Sequence, residues 1–318
     1  ADKILQTVVS VATKNDSSDI GGSCDLVVPL NCRIQYANGN KGFLTDVAKN
    51  LFKSGDAIIV KARYDGYDEL TIFNGYVYDF IEGNPCTIKC FDAIYKLNQT
   101  TLNLHYASIT LIELATRVLR GTGVKLVLPS IDLTLVNITF RLMSPAAIFE
   151  WIKKELGLNI SLTGNSLYIN VASNTTSSIK YSTDRNVITS GLQKPDATFQ
   201  RYKVKAWFIR EDGTKDSFEI GDTGGTLKEV YFYRVARNET KYRELATEAL
   251  TKIRQHKYSG DIETFLYPDC QLFAEARYVD VRYPDKTGNY VIQGIEINCD
   301  ENGYHRKIRM SFLSELAA

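Results

Sequence analysis

The residues able to do chemistry are few and widely spaced. Six cysteines stand at Cys24, Cys32, Cys86, Cys90, Cys270 and Cys299. Cys86 and Cys90 share one extended stretch, with Thr87-Ile88-Lys89 between them. At ~3.3 Å per residue their Cα atoms fall ~13 Å apart, beyond the span of a disulfide. A zinc knuckle wants its two cysteines on a tight turn, which four residues along a strand do not make. The cysteines are therefore expected to be small buried hydrophobes. No basic, apolar leader opens the chain at Ala1-Asp2-Lys3-Ile4, which favours a reducing compartment and leaves open whether any of the cysteines form disulfides.

The other candidates are as thin. His105, His256 and His305 are far apart in sequence, and no local spacing builds a Ser/His/Asp set. Asp65, Asp68 and Glu69 could supply the paired carboxylates of a glycoside hydrolase, but they sit in a polar turn where Asp serves turn formation. Gly221-Asp222-Thr223-Gly224-Gly225 lacks the Gly-Lys-Ser/Thr ending of a phosphate-binding loop. The basic residues of Arg201–Lys205 alternate near Tyr202, Trp207 and Phe208, a pattern that suits either a nucleic-acid surface or a solvated strand face; the second is expected. Six Asn-x-Ser/Thr sequons (Asn15, Asn98, Asn137, Asn159, Asn174, Asn238) carry no meaning without secretion. No catalytic, cofactor-binding or metal-binding residue is predicted.

The elements that would position such residues follow from pattern. The chain has 318 residues, 44% hydrophobic and 24% charged, with a net charge of +1. That is enough for two or three globular domains and implies no polyanionic partner overall. No apolar run reaches the ~18 residues of a membrane span. Tyrosine is abundant at 19 residues, which favours strands and interfaces. Residues 1–103 read as about five short strands with helices at 43–54 and 92–97. Thr110-Leu111-Ile112-Glu113 is a capping box. Ser144-Pro145 is an N-cap followed by Pro at the first helical position, and Gly157 ends that helix. Residues 104–171 thus read as a compact α-β-β-α-β-β module. Residues 172–178 are a polar linker, and 172–318 read as strands around a long helix at 238–256.

One stretch occurs twice. Residues 60–77 (VKARYDGYDELTIFNGYV) lie over residues 279–296 (VDVRYPDKTGNYVIQGIE) without a gap. Arg63-Tyr64 falls on Arg282-Tyr283, Ile72-Phe73 on Val291-Ile292, and Gly75 on Gly294. Both copies read as strand, polar turn and strand. The fold class expected is mixed and mainly β: two similar small β-barrels, 1–103 and 172–318, with the α+β module of 104–171 inserted between them.

The segment SGDAIIVKARYDGYDELTIFNGYVYDF, then TIKCFDAIYKLNQT and the helix opening SITLIELATRVL, resembles the first barrel of the phage late control gene D family. The matching residues are Gly55-Asp56, Phe73-x-Gly75 and Cys90-x-Asp92-x-x-Tyr95-x-Leu97. The helix with Leu245, Ala249 and Leu250, then Tyr258-Ser259-Gly260, Gly294 and the last strand resemble the second barrel. Within the α+β module, residues 138–171 resemble the small modules of secretin N-terminal and other ring-forming proteins. The family comprises hub proteins of contractile tails, related to the barrel region of type VI secretion spikes. The resemblance implies a non-enzymatic virion protein, made in the bacterial cytoplasm. It implies a homotrimer whose six barrels match a sixfold tail tube to a threefold spike carried on a separate protein. Other baseplate proteins are implied as partners, DNA only as passing cargo, and no membrane insertion. The alternatives are a β-barrel carbohydrate-binding or adhesion module and, third, a glycan-active hydrolase.

Overall fold

The computed structural model describes residues 3–5, 7–29, 31–36, 41–43, 52–127, 133–169, 179–193, 201–210, 213–235, 238–254 and 258–314. The first unit holds β1 (Lys3–Leu5), β2 (Ser10–Asp16), β3 (Ser23–Val28), β4 (Arg33–Tyr36), β5 (Lys41–Phe43), β6 (Ala57–Ala62), β7 (Leu70–Ile81) and β8 (Cys86–Phe91), followed by the short helix α1 (Ile94–Leu97). Then come β9 (Leu102–Thr110), α2 (Leu111–Leu119), β10 (Lys125–Val127), β11 (Thr134–Met143), α3 (Pro145–Leu156), β12 (Ile160–Thr163) and β13 (Ser166–Ile169). The chain continues through β14 (Ile179–Ser182), β15 (Val187–Ser190), β16 (Tyr202–Ile209), β17 (Lys215–Gly221), β18 (Thr226–Tyr231) and α4 (Glu239–Arg254). It ends with β19 (Ser259–Thr264), β20 (Glu275–Val279), β21 (Gly288–Asp300) and β22 (Gly303–Ser314).

The duplication is written in the strand order. In the first unit the strands lie β2-β3-β8-β7-β6, and in the second β15-β19-β22-β21-β20, antiparallel throughout. Position by position the two orders correspond. The alternating inward residues of the first unit, among them Cys24, Leu26, Phe73, Val77, Ile88 and Cys90, form one core. Tyr181, Ile262, Ala276, Tyr278, Tyr290, Ile292, Ile308 and Met310 form the core of the second. The protein is thus mainly β, with two similar barrel units and an α+β module, as the sequence predicts.

The two copies of the repeat fall on corresponding hairpins, but the first strands do not keep the gapless register. Gly75 and Gly294 both lie on the middle strand of a three-stranded meander. The last pairs before the turns are Ala62↔Leu70 and Tyr278↔Gly288, so the second turn is longer and Arg282-Tyr283 sits further along it than Arg63-Tyr64 does in the first. Bulges interrupt β7 between Val77 and Asp79 and β21 between Ile292 and Gly294.

The module departs from its expected form in two ways. It opens with a strand, β9, antiparallel to β11, so its order is β-α-β-β-α-β-β. The long helix α4 also belongs with it and not with the second barrel. Tyr242, Ala246 and Leu250 of α4, with Val204 and Ala206 of β16, share one core with Leu114 and Val118 of α2, Ile148, Phe149 and Ile152 of α3 and Leu167 of β13. The β16–β18 sheet is covered on one face by α4, because every second residue of β16 is buried. Its link to the module is backbone to backbone: Val136 N donates to Arg234 O over 2.9 Å, and Leu135 bridges Val235. The second barrel is therefore built from β14–β15 and β19–β22, with residues 202–254 contributed to the central body.

Local signals placed the helices well. Ser144 Oγ accepts from Ala147 N at 3.2 Å, Pro145 takes the first helical position, and Gly157 closes α3 at φ +64°, in the left-handed region that glycine tolerates. Thr110 caps α2 by accepting from Glu113 N, but Glu113 completes no capping box, since its carboxylate is taken by Arg117 at 2.7 Å. The helix expected at 43–54 falls mostly on 44–51, outside the described residues, as does the linker 172–178.

Candidate assembly surface

Most of the described residues singled out for chemistry are buried or structurally paired instead. All six cysteines are free and buried. Burial pushes the thiols of Cys24, Cys90 and Cys299 up, the last two to about 12, so they are protonated at neutral pH and poor metal ligands or nucleophiles. Cys86 Sγ donates to Val28 O at 3.1 Å and Cys32 Sγ to Thr7 O at 3.0 Å. No group of three metal-ligating side chains occurs among the described residues. His105 meets Thr139 at 2.9 Å and His305 meets Glu263 at 3.0 Å, on different elements; His256 lies outside the described residues. Glu69 pairs with Lys61 at 2.7 Å, and the Asp68 carbonyl accepts from the Tyr267 hydroxyl, so the acidic turn is not brought onto a cleft.

The glycine loop and the basic strand resolve similarly. The loop 221–225 crosses over the start of β16. A side chain at Gly221 would come within 2.4 Å of Tyr202 O, and one at Gly225 within 2.8 Å of Arg201 O, which accounts for those glycines without any phosphate. On the outer face of β16, Lys203 pairs with Glu219. Lys205 lies 4.4 Å from the Trp207 ring, and Trp207 Nε1 donates to Glu229 at 3.1 Å. Carboxylates answer the cations there, which makes a solvated face and a poor polyanion surface. No helix among the described residues is long and apolar enough to cross a membrane.

The residues of the Cys90-x-Asp92-x-x-Tyr95-x-Leu97 segment tie the first barrel to its neighbours. Asp92 is buried and accepts from Gly22 N at 2.6 Å and Ile94 N at 2.9 Å; burial nonetheless raises its carboxyl to about 6. Tyr95 stacks on Tyr76 at 5.7 Å, and Leu97 enters the central core.

What the fold does build is a joint between its two barrels. β2 runs antiparallel to the C-terminal half of β21, from Val11↔Cys299 to Asp16↔Gly294, so both barrels share one continuous sheet. Arg309 Nη1 donates to Asp16 Oδ2 at 2.6 Å across it, and Lys14 faces Glu296. A tyrosine cluster closes the same junction. Tyr64 packs edge-on to Tyr304 at 5.6 Å and donates to its carbonyl at 3.2 Å, while Tyr67 stacks on Tyr267 at 5.2 Å. Sequence reasoning found the two units but missed this joint, because its partners lie nearly the whole chain apart.

Two barrels of one strand order, joined edge to edge and carrying a lateral α+β body, is an arrangement found in solved structures. The 43 kDa tail protein of prophage MuSo2 from Shewanella oneidensis superposes with a TM-score of 0.66 at 14% identity, over 97% of this chain and 95% of that one. The fold is that of phage tail proteins. The tail protein of Neisseria meningitidis MC58 agrees, with a TM-score of 0.65 at 11% identity over the same shares. So does E. coli c3393, a type VI secretion component similar to the T4 tail proteins gp27 and gp5. It matches at 0.60 and 10% identity, over 99% of this chain and 78% of that one. No family model and no curated protein matches the sequence.

Proposed function

We propose that this chain is a structural hub of a phage or phage-like contractile tail baseplate, acting as a homotrimer in which six barrels present near-sixfold symmetry to a tail tube and threefold symmetry to a spike. The observation that carries this reading is the shared strand order of the two units together with their edge-to-edge joint. A chain that repeats one unit side by side presents a contact that, repeated between copies, makes a ring when its rotation closes. Three copies of a two-unit chain supply six units, so one gene product meets partners of both symmetries. The tail-protein fold and the late control gene D resemblance favour the same role, with tube, spike and other baseplate proteins as partners in the virion. Buried thiols, paired carboxylates and separated histidines favour a non-enzymatic part.

Sedimentation of the purified chain, alone and with the tube protein, tests the proposal. A species of three times 35.8 kDa, ring-shaped in electron micrographs with six lobes, is the expected result. A chain that remains monomeric at high concentration and in the presence of the tube protein overturns it.

A further inference from the structure

The β16–β18 sheet buries one face under α4 and turns the other outward. Strand register sets that outer face out in rows. Glu219, Lys205 and Glu229 form one row, Ser217, Trp207 and Tyr231 the next, and Lys215 and Ile209 stand beyond. Tyr233, just after β18, lies against Tyr231 with ring centres 5.6 Å apart, and Lys215 Nζ is 5.2 Å from the centre of its ring. The aromatic residues thus gather toward the C-terminal end of β16. Ile209, Leu227 and Tyr231 remain 38%, 48% and 48% exposed, so no described element packs over them.

Two features go beyond the preference of aromatic residues for strands. The first is how the rings are held. The Glu229 carboxylate accepts from Trp207 Nε1 at 3.1 Å and from the Tyr231 hydroxyl at 2.7 Å, one oxygen to each. Both donors lie in the plane of their rings, so each ring is gripped by its edge and cannot swing without breaking a bond to a carboxylate. The second is the charge. Lys203 pairs with Glu219, and Lys205 stands between Glu219 and Glu229 with its ammonium 4.4 Å from the Trp207 ring. Lysines and glutamates therefore offset one another across the face, and no strong field of one sign builds up.

We propose that this face binds an uncharged polysaccharide, with sugar rings stacked on Trp207, Tyr231 and Tyr233 and their hydroxyls bonded to the lysine and glutamate side chains alongside. A pyranose has an apolar C–H face and a polar rim, which matches fixed aromatic rings bordered by donors and acceptors. The offset charges select against nucleic acid and other polyanions. Protein interfaces are depleted of charge at their core, whereas here a lysine or a glutamate adjoins each ring, which favours a ligand rich in hydroxyls over a protein. Small ligands are held in concave pockets, and a sheet surface is not one; a chain of sugars lying over several rows fits it. Lys205 and Lys215 rest on rings in the free protein, a weak exposed contact that a stacked sugar displaces. This site does not depend on the hub reading and adds a ligand to the central body.

Affinity electrophoresis of the purified chain tests the site, through gels containing dextran, amylose, mannan or hydroxyethylcellulose, with heparin as the polyanion. Retardation by at least one neutral polymer is expected, and it should persist in salt. Tyr231→Ala and Trp207→Ala should each weaken it at least about tenfold, with Glu229→Gln weakening it less. Tyr67→Ala, which removes an exposed tyrosine of the first barrel, should leave it unchanged. A second measurement needs no change at the site. The chain has two tryptophans, so in Trp151→Phe all tryptophan emission comes from Trp207, and the retarding polymer should shift it to the blue. Retardation by none of the neutral polymers overturns the site, as does retardation that survives Tyr231→Ala. Retardation by heparin alone, lost in salt, marks a polyanion surface and overturns it too. Loss of binding to a tail protein in Tyr231→Ala, with no polysaccharide bound by the parent, assigns the face to a protein contact instead. Sedimentation of the parent chain judges the hub reading separately from all of these outcomes.

Discussion

Asp16 and Arg309, 293 residues apart in sequence, meet at 2.6 Å where β2 crosses onto the second barrel. Asp16 is buried, and Ser18 N also donates to it at 2.9 Å; Arg309 is half-exposed and reaches Asp261 as well, at 3.5 Å. Burial alone would raise the Asp16 carboxyl, but the Ser18 bonds and the Arg309 charge outweigh it and hold it below the ordinary value. The pair therefore fastens the two barrels at the end of the β2–β21 ladder, in the middle of their shared sheet.

Removing either partner should loosen that joint. Asp16→Asn and Arg309→Met are each expected to lower unfolding free energy by about 1–2 kcal/mol, less than a fully buried pair because Arg309 touches solvent. A double-mutant cycle by urea denaturation should show that the two losses do not add. Additive losses would mean that the contact carries no coupling.

The pH dependence should show two carboxylates of opposite sign. Asp92 has a folded value of about 6 against 3.8 for a free carboxyl. Its proton stabilises the fold, so this contribution is complete below pH 3.8 and is lost as pH rises through 6. At about 1.4 kcal/mol per unit the swing is at most about 3 kcal/mol. Asp16 is depressed, so its contribution is present above pH 3.8 and lost as pH falls through its lower folded value. Asp92→Asn should flatten the change in stability between pH 4 and 6 while leaving the acid-side loss. Unchanged curvature in that window would refute the assignment to Asp92.

The two repeat glycines should respond unequally. A Cβ on Gly75 would lie 2.3 Å from Phe91 O, a backbone atom of the neighbouring strand, so Gly75→Ala is expected to cost about 1–3 kcal/mol. At Gly294 the nearest atoms are side-chain atoms of Arg309 and Asp16 at 3.3 Å, which can shift, and Gly294→Ala should cost less. Calorimetry of both variants checks the order, and a reversal would contradict the packing described.

Thiol accessibility gives a fourth check. The native protein should react slowly with a disulfide reagent at pH 7, and all six thiols should appear on denaturation. Elemental analysis should find no stoichiometric zinc. A single fast native thiol would place one cysteine outside the barrel cores.

Much of this architecture was written locally. The Ser144-Pro145 start and Gly157 stop of α3 are chain-local signals, and so is the alternation of β6 and β7. The α+β module was legible for that reason. What escaped was non-local. β9 pairs with a strand beyond an intervening helix, and β14 and β15 are four-residue strands whose partners β20 and β19 lie some 70 to 100 residues further on. The apolar face of α4 announces that the helix is packed, yet Tyr242 and Ala246 do not say against what. A repeat that survives in strand order better than in residues, as at Arg63-Tyr64 and Arg282-Tyr283, marks where one copy of the turn is used inside the chain and the other is not.

The central body has a mechanical consequence. It is assembled from a segment following the first barrel and a segment interrupting the second, and both contribute side chains to one core. The body also grips the first barrel directly, with Leu162 N donating to Ile20 O and Lys153 Nζ to the carbonyls of Ser18 and Asp19. The first barrel is thus held at two places, once to the second barrel by the β2–β21 seam and once to the body at residues 18–20. Shear applied to the first barrel is divided between those two attachments, so the seam does not carry it alone.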